Sequence, residues 1–582
     1  MIKLKKINID YSSVPLNEYP RPQLVRDSYL SLNGEWEIGI INAKDKDKPF
    51  KCDEKCLVPF SVESPLSGVN HLLRPDEIIV YHKHVIMPDG FKKDHLFLHF
   101  DGVDQICDVY IDNHKVGSHI GGYTRFSFDI AKYVILNSFD LSVVVVDYTD
   151  TKFLSRGKQC LRRKGIFYTS TSGIYKPVWL ESTNEYYIKE VRYTTLFKEQ
   201  LLRMYVSSNF DGVCKVKINN QEIIMNSNQE TVIKLNVFHP WSPNDPYLYN
   251  VSIDFFDDHV KSYFGLREVK IKESKDGYPR LYLNNKLIFI KGILDQGYYY
   301  LGGLTPASNM DYLADINNLK ELGFNTIRKH IKTESDLFYY YCDTQGMLVI
   351  QDFINGGEKY SKKATFLPGL FNTNYKVKDD KYKVYGRDNA EGQTLWINEC
   401  KEIQKELYSH PSIIIYTIFN EGWGQFDSKF NYERFKDNDP SRLYDTTSGW
   451  NDFGYSDFNS IHNYFFKHKI YKDKYHKNRP YFLSEYGGYG LLIKDHFYGT
   501  KPFCYKTFKN SDKLSKNYEI LHKEEVLPLI QNGLMGMVYT ELSDVEDEIN
   551  GLYTFDRKVL KINKTTIQEI NKIIDLWMAK IA

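Results

Sequence analysis

The chain lacks the apolar stretch that a membrane helix needs. Its longest hydrophobic runs, Leu141 to Val146 and Ile413 to Phe419, have strand length, far short of the roughly 20 residues of a span. The first residues, MIKLKKINIDYSS, carry the lysines of a signal peptide but no apolar segment after them. Cysteine is sparse: eight residues in 582. Thin spacing of this kind predicts buried or free thiols in a reducing compartment, and hence a cytoplasmic protein. Cys52 and Cys56 form a CxxxC with no second ligand pair nearby, which argues against zinc. Excess charge is also missing. Lys plus Arg number 76 against 75 Asp plus Glu, a net charge of +1, so no broad basic face for nucleic acid or anionic lipid is expected. There are no internal repeats, no low-complexity tracts, no GxxxxGK[ST] loop, no HExxH helix, no Rossmann glycine fingerprint and no GxSxG elbow.

Aromatic residues are abundant, at 15% with 46 Tyr. Many must be core, and Tyr and Trp also suit the flat C–H faces of sugars. A length of 582 residues predicts about three or four units. Residues 1–183 read as all-β: His95 to Val103, Gln105 to Ile111 and Phe139 to Tyr148 are short Val/Ile/Phe/Tyr runs broken by Asp112-Asn113 and Gly121-Gly122, the pattern of a sandwich or jelly roll. The unbroken Val143 to Val146 run predicts a strand covered on both faces. Residues 184–272 hold six or seven further strands, among them Leu202 to Ser208, Val213 to Ile218 and Lys261 to Ile271, in the manner of an immunoglobulin-like sandwich.

Residues 273–582 change rhythm to strand, helix, strand. Eight candidate strands run over Leu287 to Leu294, Phe324 to His330, Leu348 to Asp352, Ile413 to Asn420, Leu443 to Ser448, Phe458 to Tyr464, Tyr481 to Glu485 and Gly536 to Thr540. Amphipathic segments such as Met310 to Leu322, Cys400 to Tyr408 and Asn517 to Ile530 lie between them. Eight such strands predict a (β/α)8 TIM barrel, with the polar, Lys-rich insertion 355–390 looping over its mouth.

Barrel chemistry sits at the C-terminal strand ends. Those ends present Asp295; Arg328 and His330; Asp352; Asn420 and Glu421; Trp450 after strand 5; His462 and Tyr464; Glu485; and Tyr539 with Glu541. Two apolar strands, IIIYTIFNEGWG (413–424) and YFLSEYGG (481–488), drive straight into Glu421 and Glu485. Paired carboxylates across one mouth are what a glycosidase requires. A separation near 5 Å marks a retaining enzyme and one beyond about 6.5 Å an inverting one.

These residues also carry a family resemblance over nearly the whole chain. Arg21-Pro22, Leu32-Asn33-Gly34-Glu35-Trp36, GGYTRF (121–126), SGIYKPVWLE (172–181), FGLR (264–267), GFNTIR (323–328), Phe419-Asn420-Glu421 and Ser484-Glu485-Tyr486-Gly487 follow one another in the order of glycoside hydrolase family 2. The sequence therefore resembles the β-galactosidases, β-glucuronidases and β-mannosidases of that family. The resemblance implies a jelly-roll sugar-binding-like domain, an immunoglobulin-like domain and a catalytic barrel, acting together as an exo-acting retaining β-glycosidase. It makes Glu421 the acid/base, Glu485 the nucleophile and Asn420 a ligand of the sugar 2-hydroxyl.

The supporting residues have two readings each. His330 could donate to a sugar hydroxyl or serve as a bonded barrel histidine. Asp295 and Asp352 could accept from hydroxyls, or pair with Arg328 or Lys329. Trp423 and Trp450 could form a stacking wall or pack in the core. His462 and Tyr464 could reach the nucleophile, and Glu541 could hold a hydroxyl or a cation. His82 and His84 share a strand face and read as structural. Tyr539 stands where the family commonly has Trp. Where family glucuronidases read the uronate with Asn-x-Lys, this chain has Glu548-Ile549-Asn550-Gly551. The lysine is missing and Glu548 would repel a carboxylate, so a neutral, galactoside-like glycone is expected. Asp295-Gln296-Gly297-Tyr298 also differs from the His-rich segment common in the family. No organic cofactor is implied. Some family members use Mg²⁺ or Na⁺, but no ligand set stands out here. A catalytically silent sugar-binding protein and a uronidase are the alternatives. A glycoside or oligosaccharide is the expected partner, and a homo-oligomer is compatible.

Overall fold

The computed structural model describes residues 7–46, 51–370 and 376–581. The lysines at 3, 5 and 6 and part of the 355–390 insertion lie outside them. Among the described residues all eight cysteines are unpaired, and no helix is long and apolar enough to cross a membrane.

The first unit is a sandwich. A six-stranded antiparallel sheet runs in the order 54–58, 34–42, 77–86, 138–146, 106–111, 114–120, and a four-stranded sheet in the order 30–31, 178–183, 95–100, 126–129. Trp36, Tyr81, Leu98, Phe100, Val109, Val143 and Leu180 fill the space between them. The Val143 to Val146 run is not covered twice: Val143 and Val145 are buried, while Val144 and Val146 are half-buried. An antiparallel sheet at the edge of a sandwich has only one packed face. His82 and His84 lie on the other face, against Ser142 and Asp140.

The second unit has a three-stranded and a four-stranded sheet around Met204, Val216, Ile253, Phe255 and Phe264. The strand expected over 261–271 is in fact two. Asp258–Phe264 stays in this sandwich. Val269–Glu273 pairs with Pro279–Leu283 in a hairpin whose Leu281 joins the barrel's lower core.

Eight parallel strands follow: Ile290–Asp295, Thr326–Lys329, Leu348–Asp352, Ile413–Asn420, Leu443–Ser448, Asn459–Asn463, Tyr481–Gly487 and Leu534–Thr540. Numbered 1 to 8, they run 5-4-3-2-1-8-7-6 in a nearly closed sheet. Period-two alternation divides their side chains. Leu294, Ile350, Ile415, Phe482 and Val538 pack inward. Ile293, Ile327, Val349, Leu483 and Met537 face the helices. Helix Asn309–Glu321 opens with a Ser308/Asp311 capping box. The helix expected from Cys400 is the second half of Ala390–Leu407, which begins at the Asn389 cap. The one expected from Asn517 begins at Ser511, capped by Asn510. Insertion 355–390 reaches the mouth: Asn451 donates to the Ala364 carbonyl at 2.7 Å, and Gly369 lies so near Trp450 that a side chain there would run into the indole ring.

Candidate active site

Glu421 and Glu485 come together at the C-terminal ends of the barrel strands. With His462 they form a buried trio whose nearest ligand atoms all lie within 4.8 Å of one another. Glu421 sits in the turn after strand 4 at φ 51°, followed by Gly422 at φ 75°. The left-handed conformation is costly for a glutamate and is held by its surroundings: its N–H donates to the Ser448 carbonyl at 3.0 Å, and its own carbonyl accepts from the Trp450 indole at 3.0 Å.

Glu485 is the better solvated by protein. Arg328 Nη1 donates to Oε1 at 3.0 Å, and the Tyr464 hydroxyl donates to Oε2 at 2.6 Å. Tyr464 is held by stacking on Tyr505 at 3.9 Å and by Thr540 at 2.8 Å. Burial alone would raise the Glu485 carboxyl, but His462 and Arg328 beside it outweigh burial and hold it below the usual range. Among the described residues no lysine or arginine is in contact with Glu421, whose ion-pair partner is His462. Burial, reinforced by the charge on Glu485, keeps its carboxyl above the usual range against the opposing His462 bond. His462 Nδ1 lies 2.8 Å from Glu421 Oε1 and 3.5 Å from Glu485 Oε2, and Nε2 faces Ser448 Oγ at 2.9 Å. One carboxyl is thus tuned to keep its proton and the other to stay ionised, the division that acid and nucleophile need.

Arg328 organises the floor. Its fork takes Asp352 at 3.0 and 3.1 Å, and Nη2 also donates to Asn420 Oδ1 at 2.8 Å. His330 Nδ1 lies 2.8 Å from Asp352. Burial first, then Lys158, lowers His330 to about 4. Its contact is therefore that of a neutral imidazole donating to the carboxylate, and Asp352 serves the site through Arg328 and His330.

Two expected ligands point elsewhere. Asp295 lies on the helix side of strand 1, paired with Lys329 at 2.5 Å. Tyr539 also faces outward, edge-on to Tyr486 and Tyr518; Thr540, one residue on, turns in. Both corrections follow from strand parity, which a strand-end position does not reveal. Trp450 does flank the site, edge-on to His462 at 5.8 Å. Trp423 packs on Phe167 of the first unit at 5.5 Å. Glu541 is buried beside Gln296, which donates to it at 2.7 Å; burial and Glu548 raise its carboxyl well above the usual range. Ser448, Ser484, Tyr505 and Lys158 were not singled out as site residues in the sequence, whereas Thr540 was read at the end of strand 8 beside Tyr539 and Glu541. Ser448 closes strand 5 and could have been read there.

The Glu421/His462/Glu485 trio is also the single group among the described residues compact enough to share a metal ion. It does not fit one well. The Arg328 guanidinium and the Tyr464 hydroxyl already hold both oxygens of Glu485, and the Glu421 carboxyl is shifted upward, away from the ionised form a metal needs.

A (β/α)8 barrel whose mouth holds two buried glutamates, one carboxyl raised and the other lowered, has the paired carboxylates of a glycosidase-type barrel. Profiles of "Glycosyl hydrolases family 2" match in three consecutive pieces: the sugar binding domain over residues 44–184, the family's central domain over 204–267, and the TIM barrel domain over 270–492. The chain belongs to glycoside hydrolase family 2. Similar curated proteins include a β-galactosidase of Thermoanaerobacter pseudethanolicus, 28% identical over 47% of this chain and 39% of that protein. Another is a β-galactosidase of Kluyveromyces lactis, 23% identical over 79% of this chain and 47% of that one. The chain thus spans about two fifths to one half of these relatives. Among solved structures, a β-glucuronidase from an uncultured Clostridium sp. superposes with TM-score 0.72 at 17% identity, over 95% of this chain and 99% of the other. A β-galacturonidase from Eisenbergiella tayi bound to galacturonate gives 0.71 at 18%, with 95% and 99% covered. These structural likenesses concern the fold.

Proposed function

We propose that this chain is an exo-acting retaining β-glycosidase for a neutral, galactoside-like glycone. The carrying observation is the approach of the Glu421 and Glu485 carboxylates to within 4.8 Å, the spacing of a double displacement rather than of an inverting pair. Glu485 attacks the anomeric carbon as Glu421 gives its proton to the leaving oxygen. Glu421 then takes a proton from water as that water opens the glycosyl–enzyme bond. Asn420, oriented by Arg328, is placed to bond the 2-hydroxyl. The neutral glycone is supported by Glu548, which stands where a uronate reader would, held by Tyr168 and Asn550.

A panel of nitrophenyl β-glycosides, with the product anomer followed by NMR, tests this. The expected result is hydrolysis of neutral glycosides with the β-anomer appearing first. First appearance of the α-anomer would refute the double displacement, and turnover of uronides alone would refute the glycone. Binding without turnover would leave a silent sugar-binding protein.

A further inference from the structure

Lys158 belongs to the first unit, just before the short strand Gln159–Cys160, yet its ammonium reaches the barrel mouth. The residue is 6% exposed. It lies over the ring faces of Tyr168 and Trp423, 5.7 Å from each centroid. Its charge is felt by His330, Glu421 and Glu541, each just past the end of strand 2, 4 or 8. Among the described residues no oxygen accepts from it. The ammonium is not among the fully buried atoms, so it keeps access to the mouth, held there by the two ring faces.

The wall beside it has the opposite shortage. Tyr168 donates to Glu548, and Asn550 Nδ2 donates to the same carboxylate at 3.0 Å. Gln296 Nε2 donates to Glu541. Both amide nitrogens are thereby used, which leaves Gln296 Oε1, Asn550 Oδ1 and Glu541 Oε1 buried with no partner. The wall therefore offers one free cationic donor and three free oxygens. A carboxylate only accepts, so it would satisfy Lys158 and leave the oxygens facing it unmatched. A hydroxyl both accepts and donates, and answers both needs.

We propose that Lys158 is a specificity-determining residue of the glycone site, donating to a hydroxyl oxygen of a neutral pyranose whose hydroxyl protons go to the orphan oxygens of this wall. The inference rests on the neutral-glycone reading and adds the residue that enforces it from outside the barrel.

Steady-state kinetics of the full chain, its Lys158→Met variant and its Lys158→Arg variant provide the test, on a nitrophenyl β-galactoside and on its series of single-deoxy analogues. Lys158→Met is expected to lower kcat/KM for the parent by ~10- to 100-fold, chiefly through KM, as for loss of a charge-assisted hydrogen bond. The loss should vanish for the one deoxy analogue that lacks the bonded hydroxyl, and Lys158→Arg should recover part of it. An unchanged parent kcat/KM, or an equal loss across the whole series, would overturn the assignment. Thermal midpoints, with calorimetric binding of free galactose, keep the test decisive if a variant is weakly active: a folded Lys158→Met that binds galactose as tightly as the wild type refutes it. Failure of the parent reading is seen separately, in the wild type's own preference for uronides. If Lys158→Met then abolished uronide turnover, the residue would read a carboxylate and the present inference would fall.

Discussion

Arg328 and Lys329 are neighbours on one strand, and both are fully buried. Each is a cation held by two carboxylates: Asp352 and Glu485 for Arg328, Asp295 and Glu334 for Lys329. By composition the two clusters are nearly the same. They differ in the face on which they lie. The Arg328 cluster opens into the mouth, where Glu485 meets a second carboxyl whose pKa is shifted the opposite way. The Lys329 cluster is closed under helices Asn309–Glu321 and Asp336–Gln345. There Tyr312 donates to Glu334 at 2.9 Å, and the Lys329 ammonium lies 4.3 Å from the Phe338 centroid. Buried charge therefore identifies a reactive centre only when one of its groups is left open to a ligand.

The sharpest break of this symmetry is to neutralise a carboxylate on each face. Glu485→Gln should lower kcat by about 10⁴-fold, the scale of losing a nucleophile, while Glu334→Gln should leave kcat within about threefold and lower the thermal midpoint instead. Comparable kcat losses would erase the distinction. A smaller effect concerns the proton on Glu421. Since its carboxyl is raised, the protonated form that the proposed acid role needs persists to higher pH than in an ordinary glutamate and disappears as pH rises through that pKa. The alkaline limb of the kcat/KM profile should therefore vanish in Glu421→Gln. Hydrolysis should fall about 10³-fold with poor leaving groups and far less with activated ones; equal losses would contradict the acid role. The smallest effect on catalysis belongs to Lys329→Met. Stranding Asp295 beneath the helices should cost about 3 kcal/mol, read as a lower urea midpoint of the barrel transition with kcat/KM of the folded enzyme nearly unchanged.

Much of this was legible in the sequence. The apolar runs ending in Asn420-Glu421 and Ser484-Glu485 are long enough to show both strand and strand end. The approach of the two glutamates follows from these runs, the barrel from the strand–helix rhythm after residue 273, and family membership from the succession of motifs along the chain. What was hidden is parity and distance. Asp295 and Tyr539 sit at strand ends like their neighbours, and only the pleat decides that they face the helices. A bulge between Ile461 and His462 likewise resets which residues of strand 6 turn inward. Lys158 lies in an irregular loop more than 100 residues before the barrel, where no periodicity marks it. His462 was read as a neighbour of the nucleophile, and its closer contact is with the acid.

Phe167, Tyr168 and Lys158 reach the barrel from a unit that folds around its own core. The two glutamates that would break the bond and one side chain that would help choose the sugar, Lys158, thus belong to separately packed pieces of one polypeptide. Exchanging the amino-terminal piece between relatives would change that one contact while leaving the reaction untouched, and a barrel cut free of it would keep its two glutamates and Glu548 but lose the ammonium.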